Sequence, residues 1–271
     1  MLLTKHKTQN GAGWAIDGYF LPPSFTLGTL LELSRHAMFE LLKKLSDGDP
    51  ASGAEAAPLD PQQEVWAAGV TYLRSREARR AESTAADMYD QVYEAARPEL
   101  FFKSLGWRVV GNHMPIRIRA DSHWTVPEPE LVLVVNSRDE IVGYCAGDDV
   151  SSRDIEGENP LYLPQAKTYN GSCALGHGIW LCYPPEIKEI PIQLNIQRGN
   201  ETIFSGETTT GTMKRTPSEL VGYLTRETYF PQGVFLMTGT GLVPGDEFSL
   251  QPGDKVSIRV GELTLENPVE A

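Results

Sequence analysis

The sequence predicts an α+β fold rich in β-structure, and three observations predict it. Short, alternating or β-branched runs fill the chain from residue 100 onward; a helical apolar period occupies residues 26–45; and a Gly/Ala/Pro/acid stretch separates the two regions. Taken in order, Leu27, Leu30, Leu31, Leu33, Met38, Leu41 and Leu42 recur at helical spacing, so a helix is expected from about Thr26 to Leu45, with Ser24 or Thr26 placed to cap it. The stretch DGDPASGAEAAPLDP that follows reads as an exposed linker. It sets a boundary near residue 60, between a small N-terminal α+β domain (1–60) and a main domain (61–271). Val65 to Tyr72 is a short apolar run, and Arg74 to Ala96 has the length and Ala/Glu/Arg content of a helix. Strands are expected at Leu131 to Val135, Ile141 to Cys145, Ile179 to Cys182, Ile190 to Ile196, Val234 to Thr238 and Lys255 to Val260. Gly, Pro, Asn and Asp separate them.

Composition excludes several classes of function. At 271 residues, 41% hydrophobic and 22% charged, the chain is long enough to bury a sizeable core. No apolar run approaches the roughly 20 residues of a membrane-spanning helix. The first residues, MLLTKHKTQNGAGWAIDG, carry neither the apolar segment nor the cleavage site of a secretory signal, so a cytoplasmic protein is expected. Cys145, Cys173 and Cys182 are odd in number and lack CxxC spacing, which points to a reducing compartment and away from a structural zinc. A formal net charge of -12 argues against a nucleic-acid partner. The cluster Arg74, Arg76, Arg79 and Arg80 is interleaved with Glu77 and Glu82 and reads as a solvated helix face.

The chemistry concentrates in one stretch. Val126-Pro127-Glu128-Pro129-Glu130 leads into the apolar run Leu131 to Val135, so Glu128 and Glu130 stand two apart at the mouth of a strand and share a face. As a pair alone they are simply read as solvated glutamates. The next strand, however, runs into Gly147-Asp148-Asp149-Val150, and a hairpin through Asn136-Ser137-Arg138-Asp139-Glu140 returns that acidic turn beside them. Three converging carboxylates repel one another unless a hard cation such as Mg²⁺ lies between them.

Glu128-Pro129-Glu130, followed by Gly147-Asp148-Asp149-Val150-Ser151-Ser152-Arg153-Asp154, resembles the metal-binding signature of the fumarylacetoacetate hydrolase superfamily. Leu163-Pro164-Gln165-Ala166-Lys167 is similar to its lysine-bearing segment, and Met237-Thr238-Gly239-Thr240-Gly241 to its late T-G-T turn. The resemblance implies Glu128, Glu130 and Asp149 as ligands of Mg²⁺, for which Mn²⁺ or Ca²⁺ could substitute, with Asp148 where the family usually has Asn. It also implies a fumarylacetoacetate hydrolase-like C-terminal domain of mixed β-sandwich and β-roll type behind a small N-terminal α+β domain, and a homodimer or homotetramer. One departure matters. Hydrolytic members carry a His shortly after a G-x-N-Y element, paired with a Glu; here Gly69-Val70-Thr71-Tyr72-Leu73-Arg74-Ser75 places Ser75 at that position. None of His6, His36, His113, His123 or His177 replaces it, which disfavours activation of water for C–C hydrolysis.

Arg97-Pro98-Glu99-Leu100-Phe101-Phe102-Lys103, Arg119 to Thr125 and Glu156 to Gln165 resemble more narrowly the branch that dehydrates 2-keto-3-deoxy pentonic acids such as 2-keto-3-deoxy-D-arabinonate. That resemblance implies a metal-dependent hydro-lyase of pentose catabolism yielding 2,5-dioxopentanoate, with Glu99 and Lys167 sharing the acid and base roles. Thr240 and the amides of the Gly239 turn are expected to orient the substrate carboxylate, and Arg153 to support the metal ligands. The competing expectations are acylpyruvate hydrolysis or oxaloacetate decarboxylation on the same metal-bound 2-oxo acid, and a catalytically silent protein that binds a sugar acid.

Overall fold

The structure, a computed structural model, describes residues 1–9, 11–45, 48–73 and 86–271. Ser75, the arginine cluster at 74–80 and the first half of the helix expected at 74–96 lie outside them. In chain order the strands are β1 (Leu2–Thr8), β2 (Gly11–Ile16), β3 (Tyr19–Phe20), β4 (Glu55–Ala56), β5 (Glu64–Gly69), β6 (Glu99–Leu105), β7 (Ile116–Arg117), β8 (Thr125–Val126) and β9 (Pro129–Val135). They continue with β10 (Ile141–Asp149), β11 (Ser151–Ser152), β12 (Cys173–Leu175), β13 (Gly178–Leu181), β14 (Pro191–Arg198), β15 (Glu201–Thr209), β16 (Val234–Met237), β17 (Asp254–Val260) and β18 (Leu263–Glu270). The helices are α1 (Leu27–Leu31), α2 (Arg35–Lys44), α3 (Ala86–Glu94), α4 (Arg153–Glu158), α5 (Leu163–Lys167) and α6 (Pro217–Leu224).

Among the described residues, an 11-stranded sheet runs β3-β2-β1-β13-β10-β9-β16-β5-β6, with β12 also on β10 and β4 on β1. A five-stranded sheet runs β15-β14-β17-β18-β7. The second sheet packs on β9 and β10 of the first. This is why every residue of β9 and β10 is buried and why the two strands read as apolar runs without alternation. Strands β17 and β18 of the second sheet alternate buried and exposed residues, as strands with one wet face do. The fold is thus β-rich α+β, as expected, and each strand expected from the pattern is present.

One difference from the sequence expectation has a local cause. The apolar period over 26–45 forms two helices, because Ser34 takes an extended conformation and its hydroxyl accepts from the Ala37 N–H, starting α2 afresh. Thr26 caps α1 as expected, accepting from Thr29 N. The N-terminal strands belong to the larger sheet: β1 pairs with β13, Leu3 opposite Ile179. The leucines of α1 and α2 join the same buried cluster as β9, β10 and β16. No helix among the described residues is long and apolar enough to cross a membrane.

Candidate active site

The β9–β10 hairpin forms where expected. Asp139 takes a left-handed conformation (φ 60), and Asn136 Oδ1 accepts from the Arg138 and Glu140 amides (3.1 and 2.9 Å), which closes the turn. The pairing sets Glu130 opposite Gly147 and Pro129 opposite Asp148. The acidic end of β10 therefore lies beside the entrance of β9. Donor atoms of Glu128, Glu130 and Asp149 all lie within 4.8 Å of one another, and all three side chains are buried.

Burial of that much negative charge is costly unless cations compensate it. Lys167 Nζ lies between two of the carboxylates, 2.9 Å from Glu128 Oε2 and 2.9 Å from Asp149 Oδ2, and also donates to Ser151 Oγ (2.5 Å). Arg153 Nη2 pairs with Glu128 Oε1 at 2.9 Å, and Lys103 Nζ with Asp149 Oδ1 at 2.5 Å. Glu130 receives the Gly239 amide at 2.7 Å. Burial, then the Asp149 and Glu128 charges, still hold the Glu130 carboxyl well above the usual carboxylate range. Burial likewise pushes Asp148 up to about 7, against the Glu128 amide that donates to its Oδ1 (2.9 Å). A converging set of carboxylate oxygens, one of which burial and its neighbours' charges keep from ionising, fits a small hard divalent cation; the set has neither thiolate nor imidazole for a softer one.

A narrow recess opens on this cluster, lined by Ala68, Gly69, Val70, Glu99, Phe101, Glu128, Asp149, Glu156, Lys167, Gly239 and Thr240. Candidate residues separated by as much as 141 positions in the chain, Glu99 to Thr240, thus share one cavity. Gly69 stands opposite Glu99 in the β5–β6 ladder, and any Cβ at 69 would collide with the Glu99 carboxylate. Val70 follows with φ 54, a strained value for a β-branched residue, in the wall of the recess.

Two expectations are refined by these contacts. The Gly239 amide, expected to face a substrate carboxylate, donates to Glu130 instead. The Thr240 hydroxyl is engaged with the Leu242 backbone, donating to its carbonyl at 3.0 Å and accepting from its amide at 3.2 Å, although Thr240 still lines the recess. Arg153 pairs with Glu128, one of the three candidate metal ligands. Sequence reasoning passed over Ser151, which receives Lys167; Glu156, a buried acid in the wall; and Lys103. Only Lys103 carried a signal: a charge ending the apolar run Leu100-Phe101-Phe102 is out of place unless it is buried against a partner.

A β-rich scaffold that buries three carboxylates at the end of a hairpin, with a lysine between them, is that of the fumarylacetoacetate hydrolase family. The chain belongs to that family: residues 64–270 match the one described as "Fumarylacetoacetate (FAA) hydrolase C-terminal". Over 216 residues it is 48% identical to a probable 2-keto-3-deoxyxylonate dehydratase of Haloferax volcanii, covering 78% of this chain and 73% of the relative. Over 221 residues it is 43% identical to the 2-dehydro-3-deoxy-D-arabinonate dehydratase of Saccharolobus solfataricus, covering 79% and 73%. Among solved structures, it is similar to a 2-keto-3-deoxy-D-arabinonate dehydratase complexed with magnesium and 2,5-dioxopentanoate. That match has a TM-score of 0.84 and 34% identity, covering 100% of this chain and 99% of that one.

Proposed function

We propose that this protein is a Mg²⁺-dependent dehydratase that converts a 2-keto-3-deoxy pentonic acid, 2-keto-3-deoxy-D-arabinonate in the first instance, to 2,5-dioxopentanoate and water. The observation that carries it is the joint enclosure of Glu128, Asp149, Lys167 and Glu99 in one recess, in a chain whose relatives at 48% and 43% identity are named as dehydratases of such acids. In the D series, arabinonate and xylonate differ only at carbons whose stereochemistry is lost in the 2-keto-3-deoxy acid, so both relatives' names fit one substrate.

Glu128, Glu130 and Asp149 would hold the cation. Bound there, it supplies electrophilic polarisation of the 2-oxo acid, which makes the C3 proton more acidic. The remaining steps are proton movements by the chain's own groups. C3 gives up a proton, the C4 hydroxyl accepts one and leaves as water, a later shift of a proton from C5 to C3 gives the C4–C5 enol, and loss of the enol hydroxyl proton with protonation of C4 leaves the C5 aldehyde. Lys167 Nζ and the Glu99 carboxylate share these transfers, the lysine at the carboxylate end of the recess and Glu99 on its β6 wall. Arg153 and Ser151 hold Glu128 and Lys167 in place. The narrowness of the recess limits the water that could compete for those protons. Three buried free cysteines support a reducing, cytoplasmic location, and the family resemblance supports a homodimer or homotetramer.

A panel of 2-oxo acids assayed with added Mg²⁺ tests the proposal. Release of 2,5-dioxopentanoate from the 2-keto-3-deoxy acid, abolished by chelator, is expected. Cleavage of acylpyruvates or decarboxylation of oxaloacetate with the deoxy acid untouched would overturn it, as would Mg²⁺-coupled binding without any turnover.

A further inference from the structure

Lys103 is among the largest fully buried side chains of the protein, and nothing in the chemistry above assigns it a part. Its position is built by an irregularity in the sheet. Along β5 and β6, Val65 pairs with Ser104 and Trp66 with Phe102, so Lys103 is the extra residue of a β-bulge. Bulges re-aim a side chain at the expense of ladder pairing, and they concentrate beside active sites. Here the re-aimed ammonium meets two other elements. It binds Asp149 Oδ1 at the end of β10 (2.5 Å) and accepts a place beside the Val150 carbonyl (3.1 Å), to which it donates. It also donates to the carbonyl of Lys167 itself (2.5 Å), the last residue of α5, where a helix leaves its carbonyls without internal partners.

Resting on the function proposed above, we infer that Lys103 is a positioning residue that ties the metal-ligand strand to the lysine helix. By engaging Oδ1 of Asp149 it turns Oδ2 toward Glu128, the side on which Lys167 Nζ bridges Asp149 Oδ2 and Glu128 Oε2. By holding the Lys167 carbonyl it fixes the root of the side chain that reaches that bridge. The same strand carries Glu99, four residues earlier, so one buried ammonium sets the spacing of the carboxylate, the lysine and the acid wall. A lysine serving only fold stability would be a costly choice, since an apolar residue in a buried slot avoids desolvating a charge.

Two roles predict opposite outcomes for Lys103→Met. If Lys103 merely offsets negative charge, its removal leaves a more electronegative site, and Mg²⁺ binds as tightly as before or tighter. If it positions Asp149, Mg²⁺ affinity falls, by about 10- to 100-fold as for other groups that orient metal ligands. Calorimetric titration of Mg²⁺ into the chelator-stripped full chain reads this without turnover, and circular dichroism confirms that the variant is folded. We expect the fall in affinity, together with a lower kcat at saturating Mg²⁺ and little change in KM. Lys103→Gln, which keeps an N–H donor without the charge, should lie between wild type and Met, and it carries the comparison should Met not fold. Unchanged or tighter Mg²⁺ binding by the folded variant overturns the inference. Failure of the wild-type chain to bind Mg²⁺ or to dehydrate the acid would instead overturn the function on which it rests.

Discussion

Lys167 concentrates the residue-scale chemistry, because one ammonium contacts two candidate metal ligands and a hydroxyl. Methionine matches its length and removes the proton, so Lys167→Met is expected to lower kcat by about 100-fold or more while calorimetry still shows Mg²⁺ binding. Full activity in that variant would remove Lys167 from the acid–base assignment and leave the family membership untouched. Asp148 makes a second case. Its carboxyl, raised from 3.8 to about 7, binds its proton more tightly in the folded than in the unfolded chain. Its contribution therefore favours folding at low pH and is lost as pH rises from about 4 through about 7. Asparagine, which the family pattern usually has there, keeps the acceptor for the Glu128 amide without the titration. Asp148→Asn should raise the melting temperature of the metal-free protein at pH 8 and flatten its dependence on pH between about 4 and 7. A metal-free melting curve whose pH dependence the substitution leaves unaltered would show that burial does not hold that proton.

At the scale of elements, the site depends on close approaches that only particular backbones allow. The turn after β16 places Gly239 at φ +89, and a Cβ there would meet the Thr71 hydroxyl and approach the Ala68 carbonyl. Gly239→Ala should therefore cost about 1–2 kcal/mol from the left-handed conformation alone, measurable by urea denaturation. Because the same amide donates to Glu130, Mg²⁺ affinity should weaken as well. A variant of wild-type stability would mean that the turn can relax without penalty. The helix expected over residues 26–45 shows the limit of periodicity as a guide. Seven apolar residues keep the spacing, but Ser34 offers its hydroxyl to the Ala37 amide, and that local hydrogen bond restarts the helix without moving the apolar face.

For the whole molecule, the cation should act as a folding ligand, since the three carboxylates converge only when β9 and β10 pair. At a concentration about 100 times its Kd, Mg²⁺ should stabilise the chain by about 2.7 kcal/mol. In a protein of this length that corresponds to a rise in melting temperature on the order of 5–10 °C. The rise should be larger at pH 8 than at pH 6, because the raised carboxyl of Glu130 holds protons that compete with the cation as pH falls. Thermal scans of stripped protein with and without Mg²⁺ at the two pH values check this. A shift independent of pH would place the cation somewhere other than this cluster.

Glu128 and Glu130 could be placed beside the acidic turn at Asp148 and Asp149 because a two-residue strand period and a short hairpin are local rules, while the family resemblance singled out Asp149 of the two. The strands with apolar runs were legible for the same reason. The roles of Lys103 and Glu156, the engagement of the Gly239 amide with Glu130 and the pairing of β1 with β13 were not. Each depends on elements distant in sequence meeting in space, and the place of Lys103 also on a one-residue slip between β5 and β6 that no pattern in either strand announces. The sequence by itself determined which side chains carry the charge; the tertiary structure decided which of them share it, because compensation of a buried charge depends on distance in space and not on order in the chain.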